Sequence, residues 1–140
     1  MKCVKAGPFY QLRLARGEDI PTEVIAFVTR NRVGSGIITG IGAAEHITLG
    51  WFNFKTGRYR KKTLRGEYEI AAIVGNVAWD GRTPICHMHA LITGRDMAAL
   101  GGHLFAARVA ATCEIAILPG SKRLARKLDP ATGLKLLALR

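Results

Sequence analysis

The sequence predicts an α+β domain: a mainly antiparallel β-sheet with one or two helices packed on one face. Three observations predict it. Most of the chain is rich in Gly, Ile, Val and Thr and is punctuated by turn dipeptides, a pattern of strands joined by tight turns. One segment, "IPTEVIAFVTRNRV", spaces its apolar residues as an amphipathic helix does. A chain of 140 residues supplies one hydrophobic core, so residues 1–140 read as a single domain.

"FYQLRLARGEDI" alternates through Leu12 and Leu14 and stops at Gly17, which predicts a strand and a turn. A helix is expected from about Pro21 to Arg32, with proline early and Val24, Ile25, Phe27 and Val28 at helical spacing. "GSGIITGIGAAEHITLGWFNF" places β-branched residues beside glycines and predicts strands with bulges or sharp bends. "NFKTGRY" then reads as a hairpin connection with Gly57 at the turn. Asp80-Gly81 is a second turn, and its flanks "EIAAIVGNVAW" and "PICHMHALIT" are expected to pair antiparallel. "GGHLFAARVAATCEIAILPG" supplies another strand, ending at Pro119-Gly120. In the tail, Asp129-Pro130 breaks the chain and "LKLLAL" returns as a last strand.

The balance of 49% hydrophobic and 22% charged residues is that of a folded, soluble chain. No apolar run reaches the ~18 residues of a membrane span, and "MKCVKAGPFYQL" lacks the apolar centre of a secretory signal, so a cytoplasmic location is expected. Cys3, Cys86 and Cys113 form no paired motif and are expected as reduced thiols. In "ATCEIAIL", Cys113 shares a face with Ile115 and Ile117, as a small core residue does. Lys and Arg number 21 against 10 acidic residues, giving a net charge of +11. Such an excess favours polyanions through steering and counterion release, although a solubilising surface would carry the same charge.

The chemistry concentrates in "PICHMHALITGRDMAALGGHL", which holds three of the four histidines. On a strand, His87 and His89 point the same way, about 6–7 Å apart at the backbone. Cys86, Met88, Ala90 and Ile92 point the other way and form a packing stripe. His103 would join the pair if the strand after Gly101-Gly102 folds alongside, the glycines permitting unusual dihedrals and close approach. Three imidazoles with an open position suit zinc or another divalent transition metal. A hydrogen-bonded histidine cluster in the sheet, or one at a subunit interface, fits the same residues. His46 has no sequence partner and reads as structural. Glu69 and Glu114 lie in strand segments on faces opposite their apolar neighbours. Either could serve as acid or base beside a metal-bound water, or simply pair with a basic side chain. The only serines, Ser35 and Ser121, lack a nucleophile-elbow context, and the glycine-rich "GSGIITGIGA" lacks the P-loop lysine and dinucleotide spacing.

The segments "LARGEDI", "GIITGIGAAEHITLGWFN", "GEYEIAAIVGNVAWDGRTPICHMHALI", "GGHL" and "VAATCEIAIL" occur in the order found in the PPC (plants and prokaryotes conserved) domain, the PD1-like DNA-binding family. The resemblance runs from about Phe9 to Leu139 and rests most specifically on HxH followed by GGHL. It implies a PPC-like α+β fold, a homotrimer and a metal site at His87, His89 and His103. It maps acidic family positions onto Glu69, preceded by Tyr68 where the family usually has Phe, and onto Glu114. Plant members follow AT-hook motifs, whereas prokaryotic members stand alone and are described as DNA-binding. This sequence lacks an AT-hook core, so DNA contacts would come from the domain itself. The candidates are Arg58, Arg60, Lys61 and Lys62 in "GRYRKK", and Lys122, Arg123, Arg126 and Lys127 in "SKRLARK". Such clusters neutralise phosphates without reading bases, and Tyr59 could add stacking. The function expected is a homotrimeric, DNA-associated regulatory protein. A metal-dependent enzyme or small-molecule sensor, or a scaffold for protein partners, are the alternatives.

Overall fold

A computed structural model describes residues 1–139. The elements are β1 (Lys2–Ala6), β2 (Phe9–Ala15), α1 (Ile20–Arg30), β3 (Gly36–Asn53), β4 (Arg58–Asp80), β5 (Thr83–Thr93), β6 (Ala99–Pro119), β7 (Arg126–Leu128) and β8 (Lys135–Leu137). Every strand pairing in the two sheets is antiparallel, in the orders β1-β2-β6-β3-β4-β5 and β7-β8. The α+β expectation therefore holds, with one helix.

An additional pairing sets the shape. The start of β6 pairs with β5, while the rest of β6 pairs with β3 on one edge and β2 on the other. Strands β3, β4, β5 and β6 thus close on one another. Closure removes sheet edges that would otherwise offer unpaired backbone groups. The long strands bend where their registers shift, between Gly40 and Gly42, Glu45 and Ile47, and Ile70 and Ala72. His46 sits in the second of these bulges with φ +50°, exposed to solvent, so its role is in the backbone bend.

The inner face carries Ile38, Ile73, Val77, Met88, Ile92, Val109, Cys113, Ile115 and Ile117, all buried. Burial pushes the Cys113 thiol up to about 12, so it packs as an inert hydrophobe. Helix α1 adds Ile20, Val24, Phe27 and Val28 to the same core, packing against β5 and β6. The helix starts one residue before the expected boundary because Asp19 caps it, its Oδ1 accepting from Thr22 N at 3.1 Å. It ends two residues earlier because Asn31 caps the last turn and Arg32 turns left-handed, with φ +51°. Asp19 Oδ2 also accepts from Ala107 N on β6, so one carboxylate fixes both the helix start and its docking. An Asp19→Ala variant is expected to lose about 2 kcal/mol, the upper range for a cap, read as a lower urea midpoint at unchanged slope.

The predicted hairpins form in the predicted places: Asn53 pairs with Arg58, and Asp80 with Thr83 around Gly81 at φ +56°. "LKLLAL" returns as β8, but pairs only with β7 in a separate small hairpin. Strand β1 has no counterpart among the sequence-based expectations. Its residues are mostly exposed, so the apolar alternation that reveals a strand is absent.

Candidate metal centre and basic surfaces

Strand pairing brings the three histidines together. His87 and His89 lie two residues apart on β5, and His103 on β6 stands directly opposite His89. Their ligand-capable atoms all fall within 4.8 Å of one another. His87 Nε2 and His89 Nε2 are 3.2 Å apart. Two nitrogens bound to one tetrahedral zinc at 2.0–2.1 Å would be separated by about 3.3 Å. The donors therefore fit a zinc-type ion without rearrangement of this pair. His103 Nδ1 is buried without a hydrogen-bond partner, an unsatisfied group of the kind that demands an explanation. Burial, the Arg126 charge and His89 push His87 down, and burial with the neighbouring His87, His89, Lys61 and Arg126 pushes His103 down to about 4. Both are thereby neutral at pH 7, the form that binds metals.

The surrounding residues hold the cluster. Phe105 packs on His103 with ring centroids 4.6 Å apart, and Tyr59 on His103 at 5.1 Å. Gly50, opposite His103 on β3, makes room: a Cβ there would lie 2.4 Å from Phe105 Cε2. Gly101 and Gly102 take no left-handed dihedrals, contrary to one half of the expectation. The other half holds at Gly102, where a Cβ would meet Gly50 O at 2.8 Å. Gly75 does the same on the other side of the site, where a Cβ would come 2.3 Å from His87 O.

Neither carboxylate joins the cluster. Glu69 pairs with Thr93, four residues along β5 from His89, about 13 Å at strand rise. Glu114 pairs with Arg13 and Ile41, eleven residues along β6 from His103. Both are exposed. The geometry gives no acid or base from this pair at the histidines.

The basic candidates separate into two regions at opposite ends of β4. Arg58, Arg60, Lys61 and Lys62 are exposed on the β3–β4 hairpin. Lys61 Nζ lies 3.8 Å from the centre of the Phe105 ring, on the histidine side, while Arg60 and Lys62 pair with Trp51 and Leu49. At the far end, Lys122 and Arg123 join two residues not singled out from sequence, Arg32 and Arg82, around a cleft of about 540 Å³. Arg123 stacks 4.2 Å over Trp79 and donates to Gly81 O at 2.5 Å. Trp79 Nε1 donates to Val33 O at 2.9 Å, and Ser35 Oγ to Lys122 O at 2.5 Å. These bonds lock three loops together. Arg32 and Arg82 were isolated basic residues in sequence, and only tertiary closure of the loops groups them. Lys127 is exposed on β7.

Arg126 is a correction. It is 8% exposed and turned inward, donating to Lys135 O at 2.8 Å and Asn76 Oδ1 at 2.7 Å. Pairing of β7 with β8 carries it under the tail, so it is not a free phosphate contact.

The fold and cluster define a class: small closed-sheet α+β domains with an outward-facing group of three histidines. The Plants and Prokaryotes Conserved domain matches residues 1–120, and the chain belongs to that family. Solved structures similar to it include a proposed DNA-binding protein from Bacteroides thetaiotaomicron, 32% identical, TM-score 0.94, covering 97% of this chain and 95% of that one. A metal-containing protein from Archaeoglobus fulgidus is 33% identical, with TM-score 0.88 and 96% of each chain covered. A proposed DNA-binding protein from Ralstonia eutropha is 27% identical, with TM-score 0.91, covering 99% and 96%. No curated protein is significantly similar to the chain. Among the described residues, no helix is long and apolar enough to cross a membrane.

Proposed function

We propose that this chain is a DNA-associated protein that acts as a homotrimer and carries zinc or a similar divalent transition metal at His87, His89 and His103. The observation that carries the DNA reading is the cleft between Arg32, Arg82, Lys122 and Arg123. Its loops are tied by side chain-to-backbone hydrogen bonds, from Ser35 Oγ to Lys122 O and from Arg123 to Gly81 O, so little loop-ordering entropy opposes phosphate binding. The net charge of +11 and the proposed roles of the Bacteroides and Ralstonia relatives support the same reading. The hairpin cations Arg58, Arg60, Lys61 and Lys62, with Lys127, extend the positive surface. Nothing in either region reaches for base edges as a recognition helix would, so the binding is of the backbone.

Fluorescence anisotropy with a duplex should show affinity that falls steeply between 50 and 200 mM salt. In an Arg82→Ala/Lys122→Ala variant the log–log salt slope should drop by about two. Lack of binding even at low salt would sink the reading.

The trimer is supported by an apolar outer face. Ile37, Ile41, Val74, Leu91 and Leu118 are each at least 44% exposed. Cross-strand pairing sets Leu118 beside Ile37, while Val74 stands between Thr39 and His89. Large apolar side chains left exposed on a sheet favour a contact between subunits. Sedimentation should give three times the 15.2 kDa chain mass, and Val74→Arg should shift it toward the monomer. A monomeric wild type would remove the trimer.

A second reading, a metal-dependent enzyme or small-molecule sensor, is favoured by one feature: His87 and His103 border a cleft.

A further inference from the structure

We infer that the cleft beside the histidines binds a small carboxylate, held between Arg126 and the metal. The inference rests on the metal reading above and deepens it by naming the ligand class. The cleft has a volume of about 200 Å³ and lies between the histidine face and the β7–β8 hairpin, bordered by Tyr59, His87, His103, Arg126 and Leu134. At about 30 Å³ per water, that holds a ligand of a few heavy atoms.

Arg126 is the unusual wall. Its guanidinium is always charged and offers five donors. Two are spent, both on neutral acceptors, Lys135 O and Asn76 Oδ1. Its Nε is buried with no hydrogen-bond partner among the described residues. None of the ion pairs among the described residues involves Arg126; they join Met1 to Glu18, Arg108 to Glu45 and Lys135 to Asp80. A buried cation without a counter-ion is costly. The position is also not accidental. Asn76, which holds the guanidinium, stands directly opposite His87 in the β4–β5 register, so Arg126 is anchored over the histidine cluster.

Charge accounting then selects the ligand. Three neutral imidazoles leave a bound divalent ion at its full 2+, and Arg126 adds a further positive charge. The other charged group facing the cleft is Lys135, whose ammonium already pairs with Asp80, and Lys61 borders the cluster across Phe105. Of the two carboxylates expected from sequence, Glu69 stands opposite Thr93, four residues along β5 from His89, and Glu114 eleven residues along β6 from His103. Among the described residues that line the cleft there is no carboxylate, and the compensating negative charge is assigned to a bound ligand. A carboxylate satisfies both sides at once, accepting from Nε and a remaining Nη proton while its second oxygen takes the metal's open position.

The test uses cobalt(II)-loaded wild-type protein, followed by its visible absorption. Cobalt should bind at one per protomer with an intense, tetrahedral-type spectrum. Sodium acetate at constant ionic strength should shift that spectrum along a saturating curve. Acetamide, of the same shape without the charge, should not, and inorganic phosphate should compete less well because it is bulkier and more hydrated. Arg126→Lys keeps the charge but loses the fork, and should raise the apparent Kd for acetate at least tenfold while cobalt still binds. Should that variant fail to fold, the acetate–acetamide contrast in wild type decides. Cobalt binding with no response to acetate, an equal response to acetamide, or unchanged acetate affinity in a folded Arg126→Lys protein would each overturn this inference alone. Failure of cobalt to bind would overturn the metal reading and this inference together.

Discussion

A His87→Ala variant is expected to retain almost no metal when purified beside wild type, with zinc or another transition ion falling from near one per protomer to near zero. The reason is geometric. The 3.2 Å separation of His87 Nε2 and His89 Nε2 is the bite of one ion, and His103 alone cannot replace it. Loss of a hydrogen-bonded group outside the ligand shell typically costs 10–100-fold in metal affinity, so loss of a ligand itself should cost more than about 100-fold. The fold should survive. His87 is only half-buried, and among the described residues its side chain makes no hydrogen bond beyond the one to His89. Elemental analysis reads the metal and circular dichroism reads the fold. Metal that stays at wild-type level in His87→Ala, with the fold intact, would show that these histidines do not hold it. The same result would leave the duplex-binding experiment untouched, because the cleft between Arg32, Arg82, Lys122 and Arg123 lies at the Asp80–Gly81 turn and shares no residue with the cluster.

The pairing of His87 with His89 was legible in the sequence because strand geometry is simple, whereas His103 was tied to them by the resemblance to the PPC domain. Two residues separated by one share a face, and the β5–β6 register of the fold is what sets His103 opposite His89. Gly57 and Gly81 announced their hairpins for the same local reason, since a tight turn demands a backbone that few residues adopt. What was not legible depended on closure of the sheet. Arg126 looked like one more basic residue in "SKRLARK", and only the β7–β8 pairing turns it inward toward Asn76. Arg32 and Arg82 looked isolated, and only the meeting of three loops makes them neighbours of Lys122 and Arg123. Glu69 and Glu114 looked available to the site, but face parity says nothing about position along a strand. Strand β1 showed no apolar alternation because it lies at a solvent-exposed sheet edge, where burial does not select side chains. Local chemistry was readable; long-range placement was not.

Gly75→Ala is expected to damage fold and site together, although it adds a single methyl group. Gly75 lies mid-strand in β4, paired with Met88 on β5 and Ile38 on β3. Its added Cβ would sit 2.3 Å from His87 O, 2.9 Å from Met88 Cγ and 3.1 Å from Met88 Cα. The first contact is with backbone, which cannot rotate away as a side chain can. Met88 is 1% exposed and packed in the core, so it has little room to yield. The strain must separate β5 from β4 at the residue that carries His87. Overpacking of this kind costs about 1–3 kcal/mol, and a backbone clash belongs at the upper end. Because His87 moves with its carbonyl, the 3.2 Å spacing to His89 should also be lost, and metal content should fall with stability. Gly81→Ala is the control: its φ of +56° imposes turn strain, but a Cβ there meets nothing within 4 Å. It should cost about 1 kcal/mol and leave metal binding intact. Urea unfolding and elemental analysis of the two variants separate the cases. A Gly75→Ala protein that keeps both wild-type stability and full metal content would mean that β4 and β5 do not approach as closely as this geometry requires.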